Sequence, residues 1–135
     1  MISKEVIFIS DFFINEVMGG AEFCNDALMK LLSPDVKIAS LKSDRVTVQL
    51  VENNLDKFFI VANFFQLAEN VKVAVAKTKY VILEHDHKYV RSNNPSLYKD
   101  FLAPEKQIQN KAFYKNALAV LCQSRKHAGV VQRNL

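Results

Sequence analysis

Four consecutive ionisable residues, Glu84-His85-Asp86-His87, follow the apolar run Tyr80-Val81-Ile82-Leu83 without a break. Such groups are costly to bury, so the run predicts a strand whose end delivers all four to water or to a ligand. A histidine beside a carboxylate suits proton transfer near neutral pH, since its unperturbed pKa is about 6.5 and the carboxylate can fix its tautomer. His85 is therefore the expected catalytic residue, with Asp86 and His87 able to share its role. The other readings are a plain surface or capping histidine, and a metal pair on His85 and His87, which share one face of an extended segment. Proton transfer is preferred to both, and no metal is expected.

A second constellation is Gly19-Gly20-Ala21-Glu22, at the start of a helical pattern. Adjacent glycines admit a ligand or another backbone closely, and a helix N-terminus offers free N–H groups to phosphate or hydroxyl oxygens. Neither G-x-G-x-x-G nor a Walker P-loop is present, which argues against dinucleotide-binding and P-loop NTPase readings. Asn63 stands where a response regulator needs its phospho-acceptor aspartate, so that reading fails too.

These groups need elements to hold them. Apolar runs at Val6 to Ile9, Val36 to Ala39, Phe58 to Ala62, Tyr80 to Leu83 and Leu118 to Cys122 alternate with stretches of helical period. That alternation predicts βαβ units, and continuous apolar runs predict strands covered on both faces. Phe23, Ala27 and Leu31, with Leu28 and Leu32 beside them, predict a core-facing helix ending before Ser33-Pro34. Phe64, Leu67, Ala68, Val71 and Val75 predict a second helix; Val46, Val48 and Leu50 alternate like a strand, but Asp44 as N-cap with Val46, Leu50 and Val51 favours a short helix there. A further helix is expected around Ile108 to Asn116, and Ser124 caps a last one, Arg125 to Asn134, whose Val130 and Val131 pack on the sheet. Between Lys88 and Gln107 the turn-prone Ser92-Asn93-Asn94 and two prolines predict a long excursion, read as a binding or lid segment.

The fold class expected is α/β: a Rossmann-like, doubly wound parallel sheet of about five strands in one domain. Ligands of such sheets bind outside the carboxyl ends of the strands. One rim should thus carry Ser10-Asp11, Ser40, Asn63, Glu84 to His87 and Gln123-Ser124, with His127 near it.

The 135 residues suit a single core, and half of them are apolar. Cys24 and Cys122 lie in apolar stretches without metal-ligand spacing and read as two buried thiols in a reducing compartment. No secretory leader or apolar run of membrane-spanning length is evident, so a cytoplasmic location is expected, with membrane contact at most peripheral. The net charge of +4 is concentrated late in the chain, at Lys88, Arg91, Lys99, Lys106, Lys111, Lys115, Arg125, Lys126 and Arg133. This suits either an anionic partner or a solvated basic face; no nucleic-acid motif accompanies it, and nucleic acid is not expected.

The order and spacing of three segments resemble the N-terminal domain of GT-B type retaining glycosyltransferases of the group 1, family 4-like kind. They are Gly19 to Glu22 opening the first helix, Tyr80 to His87 ending the fourth strand, and Ala119 to Ser124 leading into the helix with His127. The resemblance implies half of a GT-B fold: an acceptor-side domain in which the glycine loop lies near the donor's phosphates and sugar, and His85 faces the reacting sugar. Gly19, Gly20, Glu22, Asn63, Ser124 and His127 are then the substrate-binding residues. It further implies a nucleotide-sugar donor, a sugar or lipid-linked acceptor, no cofactor, and a second, donor-binding Rossmann-like domain. The chain reaches Leu135 before such a domain begins, so it is expected to be inactive alone. From a different class, the competing expectation is a non-catalytic Rossmann-like module that binds an anionic ligand or partner.

Overall fold

A computed structural model describes residues 4–135. Five parallel strands form one sheet: β1 (Glu5–Ser10), β2 (Lys37–Lys42), β3 (Phe58–Val61), β4 (Lys79–Leu83) and β5 (Ala119–Leu121), in the order β2-β1-β3-β4-β5. Because every pairing is parallel, for instance Val6 with Phe58 and Ile60 with Val81, all the carboxyl ends lie on one side. The helices are α1 (Gly20–Leu32), α2 (Val48–Glu52), α3 (Glu69–Val75), α4 (Lys111–Asn116) and α5 (Arg125–Asn134). The architecture is a Rossmann-like α/β domain whose strand order reverses between β1 and β3, where such folds open a crevice.

Pleating divides the core by alternate residues. Ile7, Ile9, Phe59, Val61 and Ile82 face Val51 of α2, Val71 and Val75 of α3, Phe113 and Tyr114 of α4, and Val131 of α5. Val6, Phe8, Ile60 and Ala62 face the opposite way, against Leu28, Met29 and Leu32 of α1. Full burial of a side chain such as Phe59 contributes about 1.5–3 kcal/mol, so the first, larger cluster dominates the stability.

The fold class is as expected, but several local readings change. The stripe Phe23, Ala27, Leu31 does not face the core: Phe23 is 53% and Leu31 74% exposed. α1 instead turns Glu22 and Asn25 inward, followed by Leu28, Met29 and Leu32. Both stripes have helical period, and the polar first turns decide between them, since Asn25 is bonded to Ser10 and His85. Strand β2 starts later than expected, runs on to Lys42 and is an edge strand in which three of six residues are exposed and none is buried, not one covered on both faces. Ser40 is therefore inside β2, paired with Phe8, rather than on the rim.

α2 is capped by Thr47, whose hydroxyl accepts from the Leu50 N–H at 3.1 Å, and not by Asp44, which sits in the 3₁₀ turn Ser43–Arg45. α3 starts only at Glu69; Phe64, Leu67, Val71 and Val75 are buried as the stripe predicts, but Ala68 is its N-cap and is exposed. α4 starts at Lys111 rather than Ile108, because Ile108 bridges to Val90 instead. Cys24 is exposed and Cys122 half-buried, so the thiols are free and neither is buried as expected.

The excursion after β4 is closed at its base. The Arg91 N–H donates to the Gln107 carbonyl at 2.9 Å and the Gln109 N–H to the Tyr89 carbonyl at 2.8 Å. Three 3₁₀ turns (Pro95–Leu97, Lys99–Phe101, Glu105–Gln107) make up most of the rest. Among the described residues no helix is long and apolar enough to cross a membrane.

Candidate functional site

The turn after β4 does not expose all four ionisable residues. Glu84 is fully buried: one carboxylate oxygen lies 2.9 Å from the Lys88 ammonium and accepts the Asp86 N–H at 3.2 Å, and the other is hydrogen-bonded by the Tyr114 hydroxyl. Lys88, expected on a basic face, is only 1% exposed and lies over the Phe64 ring. Burial pushes the Glu84 pKa up, but the Lys88 charge and the hydrogen bonds from Tyr114, Lys88 and the Asp86 N–H outweigh it, and the net shift is downward. The i, i+4 pair is thus an ionised internal clamp. The remaining residues, His85, Asp86 and His87, reach the rim, half-buried, exposed and half-buried respectively. His87 takes a left-handed φ of 50°, so the chain reverses there.

His85 is held at both ring nitrogens. Nε2 lies 3.0 Å from Asn25 Oδ1, and Nδ1 lies 2.9 Å from the Gln123 side-chain nitrogen. With Gln123 donating to Nδ1, the ring carries its proton on Nε2 and gives it to Asn25, which in turn donates to Ser10 at 3.5 Å. Burial, followed by the Lys88 charge, lowers the His85 pKa against the opposing pull of Asp86, Glu84 and Glu22. The imidazole is accordingly neutral at pH 7, with a lone pair on Nδ1 covered only by an exposed glutamine.

His87 Nδ1 lies 2.7 Å from the Tyr89 hydroxyl, and its ring meets the His127 ring at a centroid distance of 4.6 Å. Burial and then the His127 ring lower its pKa. His127 Nε2 is buried without a partner among the described residues. Ser124 caps α5 by accepting the His127 N–H at 3.0 Å. His85, His87, Gln123, Ser124 and His127 line one cavity of about 340 Å³, closed on its far side by Asn94, Pro95, Ser96 and Phe101 of the excursion.

The glycine loop behaves differently from its two positions. Neither Gly19 nor Gly20 has a left-handed backbone, but a Cβ on Gly20 would meet nothing within 4 Å, whereas one on Gly19 would run into the Glu22 carboxylate. Glu22 is buried in the first turn of α1 and acts on His85 through its charge. Asn63 is buried at the end of β3, its carbonyl accepting from the Asp11 N–H and the Ser43 hydroxyl and its Oδ1 unpartnered among the described residues. It does not line the histidine cavity. Asp11 is structural here, its carboxylate accepting the N–H groups of Phe65 and Gln66.

Asn25, Gln123, Lys88 and Tyr114 complete the surroundings of the histidines. Asn25 carried a signal in sequence, since it stands three residues after Glu22 on one helical face, and Lys88 stands four after Glu84; Tyr114 had none. No group of three or more histidines, cysteines or carboxylates among the described residues is placed to hold a metal ion. Comparison with family models, with curated proteins and with solved structures yields no match.

Proposed function

We propose that the chain is the acceptor-side domain of a GT-B type glycosyltransferase, moving a sugar from a nucleotide-sugar donor to an acceptor when a donor-binding domain completes it. The observation that carries this reading is the His85 imidazole at the carboxyl end of β4, neutral, fixed in one tautomer by Asn25, and lining one cavity together with Ser124. An acceptor hydroxyl that replaced the exposed Gln123 amide at Nδ1 would find a lone pair aimed at it, the geometry a proton acceptor needs. The open space over Gly20 at the N-terminus of α1 leaves room for a donor oxygen to approach free N–H groups. Transfer also needs both substrates held in contact, which is worth roughly 7–11 kcal/mol of barrier, and a single open rim does not supply that.

The experiment supplies a donor-binding GT-B domain, in trans or fused after Leu135, and follows transfer from a panel of nucleotide sugars. Turnover is expected only with the second domain, and His85→Ala should remove most of it. Robust transfer by the 135-residue chain alone would overturn the division of labour, and an unaffected His85→Ala fusion would overturn the role of His85. The absence of carboxylates from the cavity lining also favours the second reading, a binding module for an anion. Ligand binding without transfer in any fusion would select it.

A further inference from the structure

α1 carries two apolar faces, and no described residue covers the second. Its inner side, Leu28, Met29 and Leu32 with Glu22 and Asn25, lies on the sheet. On the outer side Phe23 is 53% and Leu31 74% exposed, and Cys24 and Ala27 between them are exposed as well. A single exposed apolar side chain, such as Val73 on α3, is ordinary on a protein surface. A row that repeats every fourth residue is the ridge by which helices pack on one another, and a helix that is apolar on opposite sides is one that is buried on both.

The ridge matches itself. Phe23 and Leu31 each stand four residues from Ala27, one turn before it and one turn after. Two copies of α1 laid antiparallel across Ala27 place Phe23 of each beside Leu31 of the other, and the small residue at the centre lets the two backbones come close. The charges match in the same register. Asp26 and Lys30 form an i, i+4 pair at 2.8 Å along one flank of the ridge, with the Lys30 side chain 77% exposed. A two-fold axis across the helices keeps that flank on the same side and reverses its direction, so Lys30 of each copy comes within a turn of Asp26 of the other. A membrane surface fits this face poorly: the charges beside the ridge are Asp26 and one lysine, whereas helices that lie on bilayers carry many cations there.

We propose that the outer face of α1 is a self-association surface, on which a second copy of this chain packs its own α1 antiparallel about a two-fold axis at Ala27. The inference does not rest on the glycosyltransferase reading. The partner helix ends at Leu32, opposite Glu22, so the N-terminus of α1 at Gly20 stays clear, and the histidine cavity takes no lining residue from α1. A lone helix pair buries less than the roughly 1,600 Å² of a standard interface. The dimer is accordingly a weak one, with a dissociation constant on the order of 100 µM.

The test is sedimentation velocity of the chain from about 10 µM to about 1 mM, a range that brackets this constant. A concentration-dependent dimer is expected. Leu31→Glu should weaken it by roughly tenfold or more, while Leu97→Glu, at a similarly exposed position in the excursion, leaves it unchanged. Asp26→Lys and Lys30→Asp should each weaken self-association, and mixing the two variants should restore it in a heterodimer. Disulfide formation in a chain carrying Cys24→Ser and Cys122→Ser reads the register. Ala27→Cys, on the axis, should cross-link two chains, whereas Leu31→Cys, about 12 Å along the helix from its mate, should not. A monomer throughout, equal effects of the two glutamate variants, mixing without rescue, or cross-linking by Leu31→Cys in place of Ala27→Cys overturns the proposal. Binding to phosphatidylcholine vesicles by a chain that stays monomeric overturns it too, and gives the face to a lipid surface.

Discussion

Glu84 and Lys88 share one turn with His85 and His87, yet the two pairs have opposite fates. The first pair is sealed beneath the turn and bonded to Tyr114, and the second stays half-open on a cavity. Charge adjacency in sequence thus conceals two jobs. The sealed pair ties the turn to α4, and the Glu84 N–H ties it to β5 through the Leu121 carbonyl at 2.9 Å, so the imidazoles ride on a rigid base. A binding group gains from such a base because little ordering remains to be done when the ligand arrives.

Breaking the sealed pair should have the largest effect. Lys88→Met leaves a buried carboxylate without its cation and should cost about 3–5 kcal/mol in urea unfolding, whereas Glu84→Leu combined with Lys88→Met should recover most of it. A loss under about 1 kcal/mol for the single change would mean that the two pairs do not differ in kind. Next, Asn134→Ala removes the brace of the cavity wall, the side-chain bonds to the Phe101 carbonyl and the Ala103 N–H, and should cost about 1–3 kcal/mol by stranding both groups. Proteolysis near residue 101 should speed up with it.

The pH response separates the pairs more finely. Burial first, then Lys88 for His85 and His127 for His87, lowers both imidazole pKa values from 6.5. The unfolded chain therefore takes up protons before the folded one, and stability contributed by the neutral rings falls as pH drops below about 6.5. Glu84, lowered from 4.5, adds stability at higher pH that is lost on further acidification, as pH falls through its folded value. NMR titration should place both imidazole midpoints below 6.5, and urea midpoints should be lower at about pH 5.5 than at about pH 7.5. A histidine midpoint above 6.5 would show an open ring with an anionic neighbour.

The smallest effect on stability is expected at Gly20. The space there is open, and valine is a slightly better helix former than glycine, so Gly20→Val should shift stability by less than about 0.5 kcal/mol. Its blockage of the α1 N-terminus should appear in ligand binding alone. Equal affinity in a stably folded Gly20→Val protein would remove the glycine loop from the site.

What the amino-acid order determined by itself was the alternation of elements. Uninterrupted apolar runs such as Val6 to Ile9 and Phe58 to Val61 have only one way to bury both faces, in a parallel sheet covered by helices, and Ser124 caps its helix through contacts three residues away. These are local or nearly local choices. The tertiary structure decided everything that depends on what lies opposite. Phe23, Ala27 and Leu31 have the period of a core stripe, but α1 is turned by Glu22 and Asn25 toward residues 60 and more positions away, and no local pattern encodes that rotation. In the same way the run Glu84 to His87 reads as four solvated charges until Tyr114 and Lys88 arrive beneath it. Burial of a charge is set by whether a partner is present at close range, and for Glu84 one of those partners comes from 30 residues further along the chain.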